Sequence, residues 1–414
     1  MNTASIQLGL KENWKQFWLL VCINALVGGL IGLERTLLPE IAEKEFHLSS
    51  TSFVLSFILL FGLFKAVTNY FAGALANQFG RKKLLLYGWI IGIPVPFILI
   101  YANSWNWILF ANILLGINQG LTWSSTVVMK MDLVGEKQRG FAMGLNEFAG
   151  YGTLGFVAYA TSIIAAEHGV RPYPFLLGII IVLLGTLLTW LFVKDTERHV
   201  QKEIQIDPGA PLLKNIFTET SWIHSNLGSV TQAGLINNLN DAMIWGILPV
   251  LLAQRGFGID NIGIITGTYP IVWGVGQLIT GKLSDVYCKK DLLFWGMLLQ
   301  GLSIVALIFC TTFFHYVTIS IVLGIGTAIV YPTFLSGIAE DTHPSQRAKS
   351  IGVFRFWRDS GYVIGALLTG ILTDFFSISF SIVTISVLTI LSALIIIYRM
   401  HCKTPSKRLW RHDS

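Results

Sequence analysis

Charge is what this 414-residue chain has least of: Asp, Glu, Lys and Arg together make up 13% of it, against 53% hydrophobic residues and a mean hydropathy of +0.63. So little charge excludes two or three water-soluble domains, which could not hide that much apolar surface. Strands of about ten residues alternating apolar and polar are missing too, which leaves helices to satisfy the backbone in lipid. Cysteine is scarce: Cys22, Cys288, Cys310 and Cys402 form no close pair in sequence, so neither a disulfide framework nor a CxxC metal site is expected. The chain has no Walker A lysine loop, no HExxH and no GxSxG, and its eight histidines are scattered, mostly in loops and tails. An ATP-driven pump and a lipid-modifying enzyme therefore lack support, and no enzymatic activity, cofactor or metal is expected. No Asn-x-Ser/Thr sequon occurs, in keeping with a bacterial or archaeal inner membrane.

What is present is a series of apolar runs long enough to cross about 30 Å of hydrocarbon. They lie near 17 to 38, 51 to 76, 84 to 102, 105 to 128, 140 to 165 and 174 to 193, and again near 226 to 253, 260 to 281, 291 to 311, 314 to 337, 348 to 373 and 378 to 398. The first follows a polar start without a small-residue cleavage pattern and reads as a retained helix, not a signal peptide. The net charge of +6 sits at the ends of the runs, where it acts as a topology signal and not as a nucleic-acid surface. About 22 Lys and Arg residues fall in the termini and alternate loops, against about 4 on the other side, so both termini are expected in the cytoplasm. The long polar connection after Lys194, with the breaker Pro208-Gly209, divides the chain: 1–195 as the first half, 196–222 as a cytoplasmic linker, 223–402 as the second half and 403–414 as a tail.

The halves repeat at an offset of 208 residues. Gly73-Ala74-Leu75 meets Gly281-Lys282-Leu283, Leu115-Gly116-Ile117 meets Leu323-Gly324-Ile325, and Gln138-Arg139 with Gly144 meets Gln346-Arg347 with Gly352. Two six-helix bundles in the same orientation imply a pseudo-two-fold along the membrane normal, with a solute site between them near the midplane.

Gly73-Ala74-Leu75-Ala76-Asn77-Gln78-Phe79-Gly80-Arg81-Lys82 nearly matches the signature G-x-L-A-D-x-x-G-R-[RK], and Gly281-Lys282-Leu283-Ser284-Asp285 repeats its start. Over nearly the whole chain the sequence resembles the major facilitator superfamily. The resemblance implies an all-α membrane protein of twelve transmembrane helices and a secondary active carrier working by alternating access. Gly73, Asn77, Gly80, Arg81, Gly281 and Asp285 then stand at gating loops. Three departures accompany the likeness: the signature's acid is Asn77 in the first copy, Asn112 stands where many proton-coupled members have arginine, and Gly155-Phe156-Val157-Ala158-Tyr159-Ala160 replaces the Gly-Pro-x-x-Gly-Gly of drug/proton antiporters.

Six ionisable residues fall at membrane depth, where charge is expensive and functional by default: Lys65, Glu147, Asp241, Arg355, Arg358 and Asp359. Their charges sum to zero. Arg355 and Asp359, spaced i, i+4, are expected to pair on one helix face, leaving Arg358 for Asp241 or a substrate. Either these are static pairs that specify packing, or Asp241 or Glu147 titrates while an arginine holds an anion. In the family the first, fourth, seventh and tenth helices line the cavity, which the resemblance carries onto Asn24, Asn118, Gln119, Trp123, Asn237, Asn238, Asp241, Trp245 and Tyr331. The expected cargo is a small solute, an organic anion or metabolite, with a proton as candidate coupling ion and a monomer in membrane lipid as the working form. Two alternatives remain: a drug- or siderophore-type efflux carrier, and a non-transporting sensor on the same scaffold, kept open by Asn77 and Asn112.

Overall fold

Lipid leaves a backbone amide no partner but another backbone group, so long apolar runs close their hydrogen bonds within helices. The computed structural model describes residues 6–35, 37–48, 56–135, 138–206, 211–257 and 259–403, and helix is their regular structure throughout. Pro208-Gly209, the tail from 404 and the side chain of Asn77 lie outside the described residues. The helices are α1 (Trp14–Arg35), α2 (Leu37–Lys44), α3 (Ser56–Phe79), α4 (Arg81–Gly92), α5 (Pro94–Tyr101), α6 (Trp105–Val134), α7 (Arg139–His168), α8 (Tyr173–Phe192) and α9 (Glu197–Ile206). They continue as α10 (Ser225–Gln254), α11 (Ile259–Val286), α12 (Lys289–Ala306), α13 (Phe313–Glu340), α14 (Pro344–Phe375) and α15 (Ile378–Arg399). Pro94 has no N–H to continue the ladder, so α4 stops at Gly92 and α5 begins on the proline.

Among the described residues, nine helical stretches are long and apolar enough to cross a membrane, with α4 and α5 together counting as one. Helices α6, α11 and α14 match them in length, at 30, 28 and 32 residues, and are not among the nine. Those three carry much of the polar sequence, including Asn118, Gln119, Gln277, Arg355, Arg358 and Asp359, and all six of these side chains are buried. A polar face turned to protein keeps charge and amide away from lipid.

The chain forms two compact units: unit 1 holds residues 1–135 and 146–208, and unit 2 holds 136–145 and 209–414. Helix pairing recurs inside each. In unit 1, α6 packs on α3 and α4, and α8 packs on α1 and α4; in unit 2, α13 packs on α11 and α12, and α15 packs on α10 and α12. The polar connection is divided between them. Its first part is held by Arg81–Glu197 at 3.1 Å and by the Thr196 hydroxyl on Asp132 at 2.7 Å. Its second part is pinned to α14, where Gln346 accepts from the Leu213 amide at 2.8 Å and donates to its carbonyl at 3.1 Å, and the Trp357 indole donates to Ser221.

One expectation is corrected. Cys288 and Cys402, 114 residues apart, are joined by a disulfide inside unit 2, while Cys22 and Cys310 are free. Spacing could not reveal the pair, because Cys288 precedes α12 and Cys402 follows α15, and it is their packing that brings the two helix ends together.

Close helix approach in unit 1 has a single-residue test. A Cβ on Gly28 of α1 would sit 1.9 Å from the carbonyl oxygen of Gly150 on α7, whereas one on Gly155 of the same α7 meets nothing within 4 Å. Gly28→Leu is therefore expected to lower stability by about 1–3 kcal/mol or more through overpacking, and Gly155→Ala to leave it unchanged. Size-exclusion and melting of the purified variants check this. Equal behaviour of the two variants would contradict the close contact.

Candidate functional site

The polar run on α10 splits by helical geometry. Asn237 and Asn240 share one face, and Asn238 and Asp241 share another about 100° round the axis. On the first face Gln300 donates to Asn237 at 3.0 Å and accepts from Asn240 at 3.1 Å, while Thr389 donates to Asn240 at 2.7 Å. All four side chains are buried, so this face ties α10 to α12 and α15. Lipid offers these amides no alternative partner.

The second face carries the charged groups. Tyr269 of α11 donates its hydroxyl to Asp241 and lies 3.2 Å from the Thr327 hydroxyl of α13. Asn238 accepts from the Tyr331 hydroxyl at 3.1 Å and donates to Asp359 at 3.4 Å. Arg358 binds Asp359 through Nε at 3.0 Å and Nη2 at 2.7 Å, and its guanidinium lies 5.7 Å from the Tyr331 ring centre and 5.9 Å from that of Phe354. Asp241 and Asp359 have no exposed surface, and Arg358 is 3% exposed. The forked guanidinium of Arg358, which the i, i+4 spacing left for Asp241 or a substrate, reaches the adjacent Asp359, and Arg355 is buried on the same helix. Trp245 lies one turn beyond Asp241 on α10, partly exposed.

Unit 1 contains a smaller counterpart. Asn24 of α1 donates to the Asn146 carbonyl at 2.7 Å and accepts from Thr126 at 2.9 Å. Glu147 accepts from the Trp123 indole at 3.2 Å and from Asn146 at 2.6 Å. The Lys65 ammonium stands 5.4 Å from the ring centres of both Phe61 and Trp123, a cation–π arrangement in a buried setting. Asn118 and Gln119 are engaged in helix contacts: Asn118 donates to the Gly88 carbonyl at 2.8 Å, and Gln119 to that of Val27 at 2.9 Å. Tyr269, Thr327 and Gln300 were missed as partners, as was the fully buried Lys130, which donates to the Leu20 carbonyl at 3.0 Å. Uncharged side chains gave no signal by intramembrane charge, and Lys130 stands just past the expected end of its span.

The loop motifs differ between units. Gly80 takes a φ of +86° to turn α3 into α4, a conformation glycine adopts without strain. Arg81 follows it and reaches Asp132 at 3.3 Å, and Gly73 lies about two turns upstream on α3. In unit 2, Asp285 accepts from the amides of Gly140 at 2.6 Å and Phe141 at 2.9 Å, capping the start of α7. A Cβ on Gly281 would lie 2.7 Å from the Gly140 carbonyl, so glycine is needed for that approach.

A cavity of about 520 Å³ opens in unit 1 between the start of α1 and the start of α9, lined by Gln7, Trp14, Lys15, Lys194 and His199 among others. His199 Nε2 lies 3.2 Å from Asn13 Oδ1, its Nδ1 is buried without a hydrogen-bond partner, and burial pushes its pKa below the usual 6.5. The folded protein therefore holds this ring neutral, while the unfolded chain takes up a proton below about pH 6.5. Its contribution to stability is present above that pH and is lost as pH falls. Melting between pH 5 and 7.5 is expected to show a weaker acid-side decline in His199→Gln than in wild type. Parallel pH curves would contradict it.

The sequence matches the family model of the Major Facilitator Superfamily over residues 17–228 and 230–411. It is 24% identical over 353 residues to the proton-coupled antiporter flippase LtaA of Staphylococcus epidermidis, covering 82% of this chain and 81% of that protein. It is 22% identical over 385 residues to the multidrug resistance protein MdtG of Citrobacter koseri, covering 89% and 90%. Its fold is similar to the crystal structure of the human organic anion transporter MFSD10, with a TM-score of 0.74 at 13% identity, covering 93% of this chain and 99% of that one.

Proposed function

The chain belongs to the major facilitator superfamily, and from that premise we propose that it carries a small organic anion across an inner (plasma) membrane with a proton as coupling ion. It is a multi-pass integral membrane protein and a secondary active transporter, not an enzyme. The observation that carries the finer reading is the unit 2 cluster. A buried guanidinium, that of Arg358, stands near the Tyr331 and Phe354 rings and is bonded to Asp359 Oδ1. An arginine so oriented offers a planar fork to a carboxylate or phosphate. Beside it on α10, Asp241 is a buried carboxylate under the Tyr269 hydroxyl, a group that can exchange a proton in a site closed to lipid. Glu147 and Lys65 play the corresponding roles in unit 1 in this reading. The Lys and Arg distribution supports termini in the cytoplasm, and a monomer in lipid is the proposed working form.

Ligand-induced thermal stabilisation of purified protein against a metabolite library tests this, with Arg358→Lys and Asp241→Asn alongside. An organic anion that stabilises wild type but not Arg358→Lys is the expected result. Stabilisation by amphipathic cations, indifferent to Arg358, would overturn the anion reading and favour an efflux carrier.

A further inference from the structure

The segment after α15 is strapped across helix ends of unit 2. His401 exchanges two hydrogen bonds with Asn226 at the start of α10: its amide donates to Oδ1 at 2.8 Å and its carbonyl accepts from Nδ2 at 3.2 Å. Lys403 pairs with Asp341 at 2.9 Å and donates to the Glu340 carbonyl at 2.6 Å, both at the end of α13. Between these fastenings lies Cys402, bonded to Cys288 in the two-residue turn that joins α11 to α12. The strap thus has non-covalent attachments on both sides of the sulfur, which keep Cys402 over these helix ends and leave the link to the α11–α12 turn to the sulfur bond. Cys288 is the N-cap of α12 and is followed by Lys289 and Lys290, a setting that favours a thiolate. Three residues upstream, Asp285 holds the amides of Gly140 and Phe141.

We propose that Cys288 and Cys402 form a reversible thiol–disulfide switch on the cytoplasmic side, whose closure fixes the α11–α12 turn and so holds Asp285 against the start of α7. This rests on the cytoplasmic placement of the termini proposed above, since cytosolic disulfides are characteristically transient and redox-sensing. The oxidant is a small-molecule disulfide of the glutathione class. The Cys402 thiolate, the more exposed of the two, attacks it, forming a mixed disulfide and releasing one small thiolate. The Cys288 thiolate then attacks the Cys402 sulfur and releases the second. Two protein thiols are oxidised and one external disulfide is reduced to two thiols, so electrons and protons balance. Reopening is the reverse reaction.

The test uses the full-length protein carrying Cys22→Ser and Cys310→Ser, so that only the pair remains. It is equilibrated in glutathione buffers of graded ratio, acid-quenched and counted with a maleimide of high mass. A single transition between two free thiols and none is expected, abolished by a further Cys402→Ser or Cys288→Ser. Hydrogen exchange of the segment from Gly140 to Gly144 is expected to slow about threefold or more on oxidation, with no redox response in either serine variant. Two reactive thiols at every ratio would overturn the switch. So would thiols shielded until a chelator is added, which would make Cys288, Asp291 and Cys402 metal ligands instead. Exchange that ignores the redox state would overturn the link to Asp285. A membrane-impermeant maleimide applied to intact cells separates the underlying placement: labelling of the reduced pair from outside overturns the cytoplasmic side, whatever the thiol count shows.

Discussion

Replacing Arg358 by alanine is expected to lower stability by about 3–5 kcal/mol, the loss that follows when a buried ion pair keeps only one partner. Asp359 has no exposed surface, and its Oδ1 takes both Arg358 bonds. Asn238, at 3.4 Å, is a neutral donor that cannot replace the lost cation. Arg358→Lys should recover part of the loss, since an ammonium restores the charge without the fork. The double variant Arg358→Ala/Asp359→Ala should recover more, because it removes the buried carboxylate along with the cation. Thermal melting followed by tryptophan fluorescence gives the four midpoints. A single variant as stable as wild type, or a double variant no better than the single, would show that the pair is not the energetic unit the geometry indicates.

The second large effect is on transport. Asp241→Asn keeps the shape of the side chain and removes its charge and its capacity to release a proton. Gradient-driven accumulation of whichever anion stabilises the wild-type protein is expected to fall at least about 100-fold, equivalent to about 2.7 kcal/mol of lost coupling. Tyr269→Phe removes only the hydroxyl that donates to that carboxylate, so a smaller loss is expected, about tenfold, with a displaced pH profile. Uptake into vesicles with an imposed pH gradient measures both, and downhill exchange without the gradient serves as control. Normal accumulation by Asp241→Asn would remove Asp241 from the coupling and direct attention to Glu147, whose Oε1 already receives Trp123 and Asn146.

The two experiments bear on the same α10 face. Arg358 and Asp359 are linked to Asn238 and Tyr331, and Asp241 to Tyr269 and Thr327, while Arg358 also lies near enough to Asp241 to act on its charge. A variant in one group that disturbs only stability, and one in the other that disturbs only transport, would assign packing to the first and coupling to the second.

The sequence by itself determined the solvent, the helical class, the two-fold repeat and the family, because each depends on features carried locally: apolar length, the position of Lys and Arg, and short motifs in register. It also singled out Asn24, Glu147, Asp241, Arg358 and Asp359, because charge or amide in an apolar run stands out against composition. Tertiary structure alone decided the partners. Asn237 and Asn238 are neighbours in sequence, yet one is tied to Gln300 of α12 and the other to Asp359 of α14, since successive residues on a helix point about 100° apart. Tyr269 meets Asp241, and Cys288 meets Cys402, only because helices distant in the chain pack side by side. Nor could spacing show that Arg358 turns to Asp359, its neighbour in sequence: that contact follows from the reach of a long side chain among its packed neighbours, a property of the folded bundle and not of the helix that carries it.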